Sequence, residues 1–275
     1  MFSFRRKPSG NGLLWLVDEN STQRAMFQES FDSAQRWMPN VAKAVLYIGR
    51  HPKVAAECFR LRSKAQAHAA KFDAWAQSPF EQTLFLDNDT FVRAPLTHYF
   101  EHDTDVVAVP YPNFFEKAEL QVPWGSEVPT RWQNVNSGVV LFHKSFVSRY
   151  REIWKRYGTF APRLPGKDQC LFSLALTLPG VRWQPDLHLQ ISTTDFAVEF
   201  IRSIVGAPRE PALEGVPMSL IQAAYVFHTT AEKQRHRDAY RQCNQAQDFL
   251  PAPSECSLNS SQIRLLAERH PVQFP

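Results

Sequence analysis

The sequence predicts a single α/β domain with a mostly parallel central sheet flanked by helices. Three observations predict it. Thr83–Leu86 is a β-prone, mostly apolar run that stops abruptly at Asp87-Asn88-Asp89, the pattern of a buried strand reaching the C-terminal edge of a parallel sheet. Apolar runs of strand length alternate with longer segments of helical periodicity on either side of it. With 275 residues, the chain can bury the core of one large domain.

Leu13–Val17 reads as the first strand, closed by Asp18, Glu19 and Asn20. Ser21 or Thr22 can cap the helix that follows to about Trp37. Along it Met26, Phe27, Phe31 and Ala34 recur at helical spacing, and Met38-Pro39 stops it. Ala44–Ile48 is a second strand. Val54–Gln77, rich in Ala, reads mostly as helix, with Arg60, Arg62, Lys64 and Lys71 as cations of the kind that ordinarily line a solvated face. Beyond the aspartates, Leu96–Phe100 is a short helix and Val106–Val109 the next strand. Pro110–Trp132 lacks clear periodicity and is expected to be a long loop. Its Tyr111, Phe114, Phe115, Trp124 and Trp132 either anchor it or offer exposed apolar faces to a ligand.

Asn136–Phe142 reads as a strand in which Gly138 lets a ligand or another backbone approach closely. Phe146–Arg156 is a helix with Tyr150 and Trp154 as a packing pair. Gly166-Lys167-Asp168-Gln169 opens another helix, Cys170–Leu176, where Asp168 reads by itself as a cap. Val181–Ile191 alternates like a strand with an edge proline, Pro185. Ala224–Phe227 is the last strand and ends in His228. A basic segment, Lys233–Arg237, follows. A domain over residues 1–250 is expected, with a polar tail over 251–275 carrying one short helix from Ser260 to about Arg269.

A formal charge of +4 is mild, and no Lys/Arg run is long enough to form a nucleic-acid stripe. No segment has the length of a membrane span. The apolar run Leu13–Val17 is too short for a signal-peptide core and is followed at once by Asp18-Glu19. Cys58, Cys170, Cys243 and Cys256 show no metal spacing and read as free thiols. The expected compartment is the cytoplasm.

In an extended segment residues i and i+2 point the same way, so Asp87 and Asp89 can converge on one cation. Two hard oxygen ligands suit Mg²⁺ or Mn²⁺ that also holds a phosphate. Leu86-Asp87-Asn88-Asp89 resembles the Asp-x-Asp motif of GT-A-fold glycosyltransferases. Lys71–Thr90 resembles the helix-loop-strand approach to that motif in nucleotide-sugar transferases, mannosyltransferase-like members included. Asn136-Ser137-Gly138 resembles the corresponding strand of the glycogenin-like and galactosyltransferase-like group, and Asp168-Gln169 and His228 follow in the expected order.

The resemblance implies a GT-A-like domain with a Rossmann-like nucleotide-binding half and an acceptor half. It implies a metal-dependent hexosyltransferase that uses a nucleoside-diphosphate sugar, a UDP-sugar foremost and a GDP-sugar next, with retention of anomeric configuration. The acceptor is left open among glycan, protein and small molecule. In that reading Asp87, Asp89 and His228 hold Mn²⁺ or Mg²⁺, and Lys71 reaches the donor phosphates. Asp18, Asn88, Ser137 and Gly138 line the nucleotide-sugar site, and Asn136, Asp168 and Gln169 grip the sugar. Asp18, with Asn20 and Tyr47, also reads as a cap or loop residue, and His228 as a core-edge histidine.

Two other enzyme classes share features with the chain. A haloacid-dehalogenase-like phosphatase would use Asp87 as nucleophile and Asp89 as acid/base, but it needs a later acidic pair that the sequence lacks and a motif nearer the start of the fold. A nucleotidyltransferase shares related architecture. A sugar-binding protein without turnover is the non-enzymatic alternative.

Overall fold

Strand β1 (Asn11–Val17) is buried at every residue after Asn11, and the sheet grows outward from it. The computed structural model of the chain describes residues 10–61, 67–186, 189–192, 212–213, 216–217 and 226–228. Helix α1 (Ser21–Trp37) follows β1. Its cap is Asn20 rather than Ser21 or Thr22. The Asn20 side-chain oxygen accepts from the backbone N–H of Thr22 at 2.9 Å and of Gln23 at 3.2 Å, satisfying two donors that an α-helix start leaves open.

The remaining elements are β2 (Ala42–Tyr47), β3 (Glu57–Arg60), α2 (Ala67–Ala76), β4 (Gln82–Leu86), β5 (Thr90–Val92), β6 (Val106–Glu116), β7 (Arg131–His143), α3 (Lys144–Tyr157), α4 (Asp168–Ala175), β8 (Trp183–Pro185), β9 (Gln190–Ser192), β10 (Ala212–Leu213), β11 (Val216–Pro217) and β12 (Val226–His228). The main sheet has seven strands in the order β3-β2-β1-β4-β7-β6-β8. Strands β3, β2, β1 and β4 run parallel, as do β6 and β8, while β7 is antiparallel to both its neighbours. The mostly parallel α/β sheet expected from the sequence is therefore present. A small second sheet has the order β5-β12-β9, and β10 pairs with β11.

Three further sequence expectations are corrected. Glu57–Arg60, read as helix within Val54–Gln77, is an edge strand running parallel to β2 from Ala44↔Glu57 to Tyr47↔Arg60. Cys58 and Phe59 pack against opposite faces of the sheet, so the period is two, and ladder pairing outweighs the helix preference of the nearby alanines. Pro110–Trp132 is not one long loop. Strands β6 and β7 continue as a hairpin through Phe114↔Gln133, Phe115↔Trp132 and Glu116↔Arg131, and register shifts at Pro110 and Phe114 hide the alternation from the sequence. Val181–Ile191 is split between two sheets, β8 pairing with β6 and β9 with β12.

Alternation along β1 builds two cores. Leu14 and Leu16 join Trp75, Phe85, Phe142, Tyr150 and Phe172 beneath α2, α3 and α4. Leu13, Trp15 and Val17 join Phe27, Phe31 and Val45 beneath α1. Trp75 stacks on Phe142 at 4.9 Å and meets the edge of Phe172 at 5.3 Å. Truncating a buried aromatic of this kind costs about 3–5 kcal/mol. Most of the residues expected in 196–217, the segment Lys233–Arg237 and the tail 251–275 lie outside the described residues.

Candidate active site

Parallel pairing brings the C-terminal ends of β1, β2 and β4 to one edge, and Asp87 leaves β4 there. The Asp87 backbone N–H donates to Gly138 O at 2.7 Å, which pins the strand end to β7. Thr90 then re-enters a strand in the small sheet. Its hydroxyl donates to Asp87 O at 2.7 Å and lies 3.0 Å from the Ser30 hydroxyl on α1, which accepts from Trp15 Nε1 at 3.0 Å. The turn carrying both aspartates is thus tied to the core from two sides.

The small sheet delivers the histidine. Strand β12 pairs antiparallel to β5, setting His228 opposite Thr90. His228 Nε2 lies 3.2 Å from Asp89 Oδ1 and 4.0 Å from Asp87 Oδ2. One oxygen or nitrogen atom from each of Asp87, Asp89 and His228 lies within 4.8 Å of the others, so the structure brings these three side chains together. Gly138 is what makes room. A Cβ at that position would sit 2.3 Å from His228 Cε1 and 2.8 Å from Asp87 Oδ2.

Lys71, on α2, is buried rather than solvated. Its ammonium lies 3.0 Å from Asp87 Oδ1, 3.1 Å from Asp87 Oδ2 and 3.5 Å from Asp168 Oδ2. Ser137 adds its carbonyl and hydroxyl, each at 3.4 Å, and the same hydroxyl donates to Asp168 Oδ2 at 3.1 Å. Asp168 is the first residue of α4 and its carboxylate faces this cluster instead of capping the helix. The preceding Lys167 holds the turn with φ of 52°.

Burial opposes the charge on Lys71, yet Asp168 and Asp87 together outweigh it and raise the ammonium above the ordinary lysine value. Burial is the main influence on Asp87 and pushes its carboxyl up, with Lys71 opposing. Burial also works against a charged His228, but Asp89 and then Asp87 overcome it and raise the imidazole.

Beside this charged cluster runs a neutral one. Between Pro110↔Val135 and Phe114↔Gln133 the β6 strand bulges through Tyr111, Pro112 and Asn113. Gln133 Nε2 donates to the Tyr111 carbonyl and, at 3.1 Å, to Asn113 O. Asn134 Nδ2 donates to Asn113 Oδ1 at 3.0 Å, and Gln169 Nε2 to Asn134 Oδ1 at 2.7 Å. Asn136 Nδ2 donates to the Tyr111 hydroxyl while Asn136 Oδ1 accepts from Gly138 N at 2.6 Å. Asn136 thereby joins the amide network to the backbone that supports the histidine.

Two predicted site residues turn elsewhere. Asn88 Nδ2 donates to Leu16 O at 2.9 Å and to Gln23 Oε1 at 3.2 Å, joining β4 to β1 and α1. Asp18 Oδ1 accepts from Asn20 N at 2.9 Å and shapes the turn into α1. Tyr47 meets the His51 ring edge-on at 5.1 Å. The sequence reading missed Asn113, Gln133, Asn134 and Gln190, whose partners come from distant strands, and Tyr111 was visible only as one more aromatic.

No protein-family model matches the chain, and no curated protein matches it. Solved structures do. The galactosyltransferase LgtC, in complex with donor and acceptor sugar analogs, is 14% identical with a TM-score of 0.53, the match covering 87% of this chain and 97% of that one. An active-site mutant of LgtC matches at 14% identity and TM-score 0.52 over 88% of this chain and 98% of that one. The glycosyltransferase GlyE of Streptococcus pneumoniae TIGR4 is 14% identical with a TM-score of 0.51, covering 90% of this chain and 67% of that one. The fold is that of solved glycosyltransferases, as the sequence resemblance implied. Among the described residues no helix is long and apolar enough to cross a membrane.

Proposed function

We propose that the chain is a metal-dependent glycosyltransferase that moves a hexosyl group from a nucleoside-diphosphate sugar to an acceptor hydroxyl. The observation that carries this reading is the convergence of Asp87, Asp89 and His228 at one sheet edge, within a fold shared with LgtC and GlyE. Two carboxylates and an imidazole suit Mn²⁺ well and Mg²⁺ less well. Gly138 supports the fit, because only a residue without a Cβ leaves the space in which ring and carboxylate meet. A divalent cation held there supplies positive charge that stabilises the departing nucleoside diphosphate.

The chain's own residues do the rest. Lys71 offers a fixed, desolvated ammonium to phosphate oxygens, where it needs no reorganisation as leaving-group charge develops. Asp168 and Ser137 hold it in place. As the bond from the anomeric carbon to the diphosphate oxygen breaks, that carbon becomes oxocarbenium-like. The acceptor oxygen bonds to it and its proton passes to the departing diphosphate oxygen. Asn136, Gln169 and Asp168 position the sugar hydroxyls. The resemblance of Asn136-Ser137-Gly138 favours retention, and the frequency of donors among transferases of this fold favours a uridine nucleotide, with guanosine next. The phosphatase alternative asks for a later acidic pair beyond Asp87 and Asp89, and the sequence carries none.

Thermal-shift titration of UDP, GDP and their hexose conjugates, with Mn²⁺ and in excess chelator, tests the reading. A nucleotide should raise the melting temperature strongly only with metal. Donor hydrolysis or transfer that persists undiminished in chelator would reject the metal role, and no response to any nucleotide sugar would reject the class.

A further inference from the structure

The proposed metal ligand His228 has a second ring nitrogen, and its partner has no role in the reading above. His228 Nδ1 lies 3.1 Å from Gln190 Oε1, and both residues are buried. The sheet explains the contact. In the parallel β9–β12 ladder Val226 is opposite Gln190. His228 is two residues on and projects from the same face, so Gln190 and His228 form a diagonal cross-strand pair. We propose that Gln190 is the positioning residue of the metal site: its side-chain oxygen fixes the hydrogen on His228 Nδ1 and so turns the Nε2 lone pair toward Asp87 and Asp89. This rests on the reading of His228 as a metal ligand.

An imidazole can bind a metal through Nε2 only if Nδ1 carries the hydrogen. When such a ring is buried, that hydrogen needs an acceptor, and ligating histidines are generally oriented by one. Gln190 Oε1 can only accept. The ring is then held by Gln190 at Nδ1 and bounded by the backbone of Gly138, where an added Cβ would fall 2.9 Å from Nδ1. Gln190 Nε2 is buried without a hydrogen-bond partner among the described residues. An amide with one end unsatisfied in a core is costly. An apolar side chain of similar size would carry no such cost, so the position calls for the oxygen.

Mn²⁺ alone, titrated into the purified full chain and followed by electron paramagnetic resonance, tests this without any turnover assay. Gln190→Met should weaken Mn²⁺ binding about 10- to 100-fold without lowering thermal stability. Gln190→Glu, which keeps an acceptor, should bind within a few-fold of the wild type. In a His228→Ala background Gln190→Met should have no further effect. If His228→Ala weakens Mn²⁺ and Gln190→Met does not, Gln190 has no positioning role while the metal site stands. If His228→Ala itself leaves Mn²⁺ affinity unchanged, the metal reading fails instead. Histidine ¹⁵N spectra of the wild-type chain with Zn²⁺, assigned with His228→Ala, give a check independent of how the Gln190 variants fold. They should show Nδ1 protonated and Nε2 bound, and the reverse pattern overturns the proposal.

Discussion

The two sides of the site are built from opposite materials. On one side Asp87, Asp89, Asp168, Lys71 and His228 crowd five ionisable groups together. On the other, Tyr111, Asn113, Gln133, Asn134, Asn136 and Gln169 form a network with no ionised group in it. The charged side can exchange partners. A cation or a diphosphate can replace the internal pairs, because each ion has an alternative of the right sign. The neutral side has donors and acceptors that match each other and would equally match hydroxyls, which is what a sugar presents. In the proposed reaction the difference amounts to a division of labour: one side would handle charge and the other shape. Asn136 joins them, with its nitrogen on Tyr111 and its oxygen on the amide of Gly138.

Breaking the charged side should have the largest effects. Lys71→Ala leaves Asp87 and Asp168 facing each other without their ammonium. A buried charge pair broken on one side costs about 3–5 kcal/mol, so stability and activity should fall together. This differs from an exposed lysine, and Lys71 has 9% of its side chain exposed. Asp89→Asn is the cleaner probe, because it leaves the Lys71 contacts intact. Transfer should drop by at least about a hundredfold to a thousandfold while urea unfolding changes little. Retention of more than a tenth of wild-type transfer would remove Asp89 from the machinery.

Gly138→Ala attacks the seam between the two sides. The added methyl meets His228 and Asp87 at distances no Cβ tolerates, so the ring or the carboxylate must move. Mn²⁺ affinity should fall about tenfold or more, with nucleotide binding following it. Unchanged metal affinity would mean that the ring has another place to go. On the neutral side, Tyr111→Phe removes one hydrogen bond to Asn136. It should leave Mn²⁺ affinity unaltered and lower turnover about tenfold, a loss of about 1–1.5 kcal/mol. A change in metal affinity, with turnover spared, would erase the distinction between the sides.

Part of the charged side was legible in the sequence, because the apolar strand β4 stops at Asp87-Asn88-Asp89 and the rule for parallel-sheet edges places that pair. His228 ends a short apolar strand as well, but that strand lies in the small sheet, antiparallel to β5, and it was the family resemblance that set the histidine beside the aspartates. On the neutral side only Asn136 and Gln169 were singled out as site residues, through the resemblance. Asn113, Gln133 and Asn134 lie in mid-strand at a bulge, where two register shifts break the alternation that would have marked Tyr111–Asn113 as strand. Gln190 was hidden for a different reason. Its partner is 38 residues away, and nothing local distinguishes a glutamine held for its oxygen from one on a surface. The edge strand Glu57–Arg60 was missed because pairing with β2, not composition, decides its conformation.

The smallest expected effect sharpens the contrast by comparing two lysines. Lys71 and Lys144 both donate to oxygens, but Lys71 meets carboxylates. Among the described residues Lys144 Nζ donates to the neutral carbonyls of Ala76 at 3.0 Å and Ser78 at 2.8 Å, where α2 ends. The outcomes are opposite. Lys71 is raised, whereas burial, helped by Arg151 and opposed by Glu81, lowers Lys144 to about 8 from 10.5. Below pH 8 both folded and unfolded chains keep the Lys144 proton, and the cost of burying the ammonium is fully present. Between about 8 and 10.5 the unfolded chain holds a proton that the folded chain has lost, so stability contributed by this group rises with pH. Lys144→Met abolishes that rise. Urea unfolding of both proteins between pH 7 and 10 should show the wild type gaining on the variant by about 1 kcal/mol, the full linkage value being discounted because the side chain is only partly buried. Parallel stability curves would mean that the two carbonyls hold the ammonium as firmly as carboxylates hold Lys71, and the contrast between neutral and charged partners would lose its simplest measure.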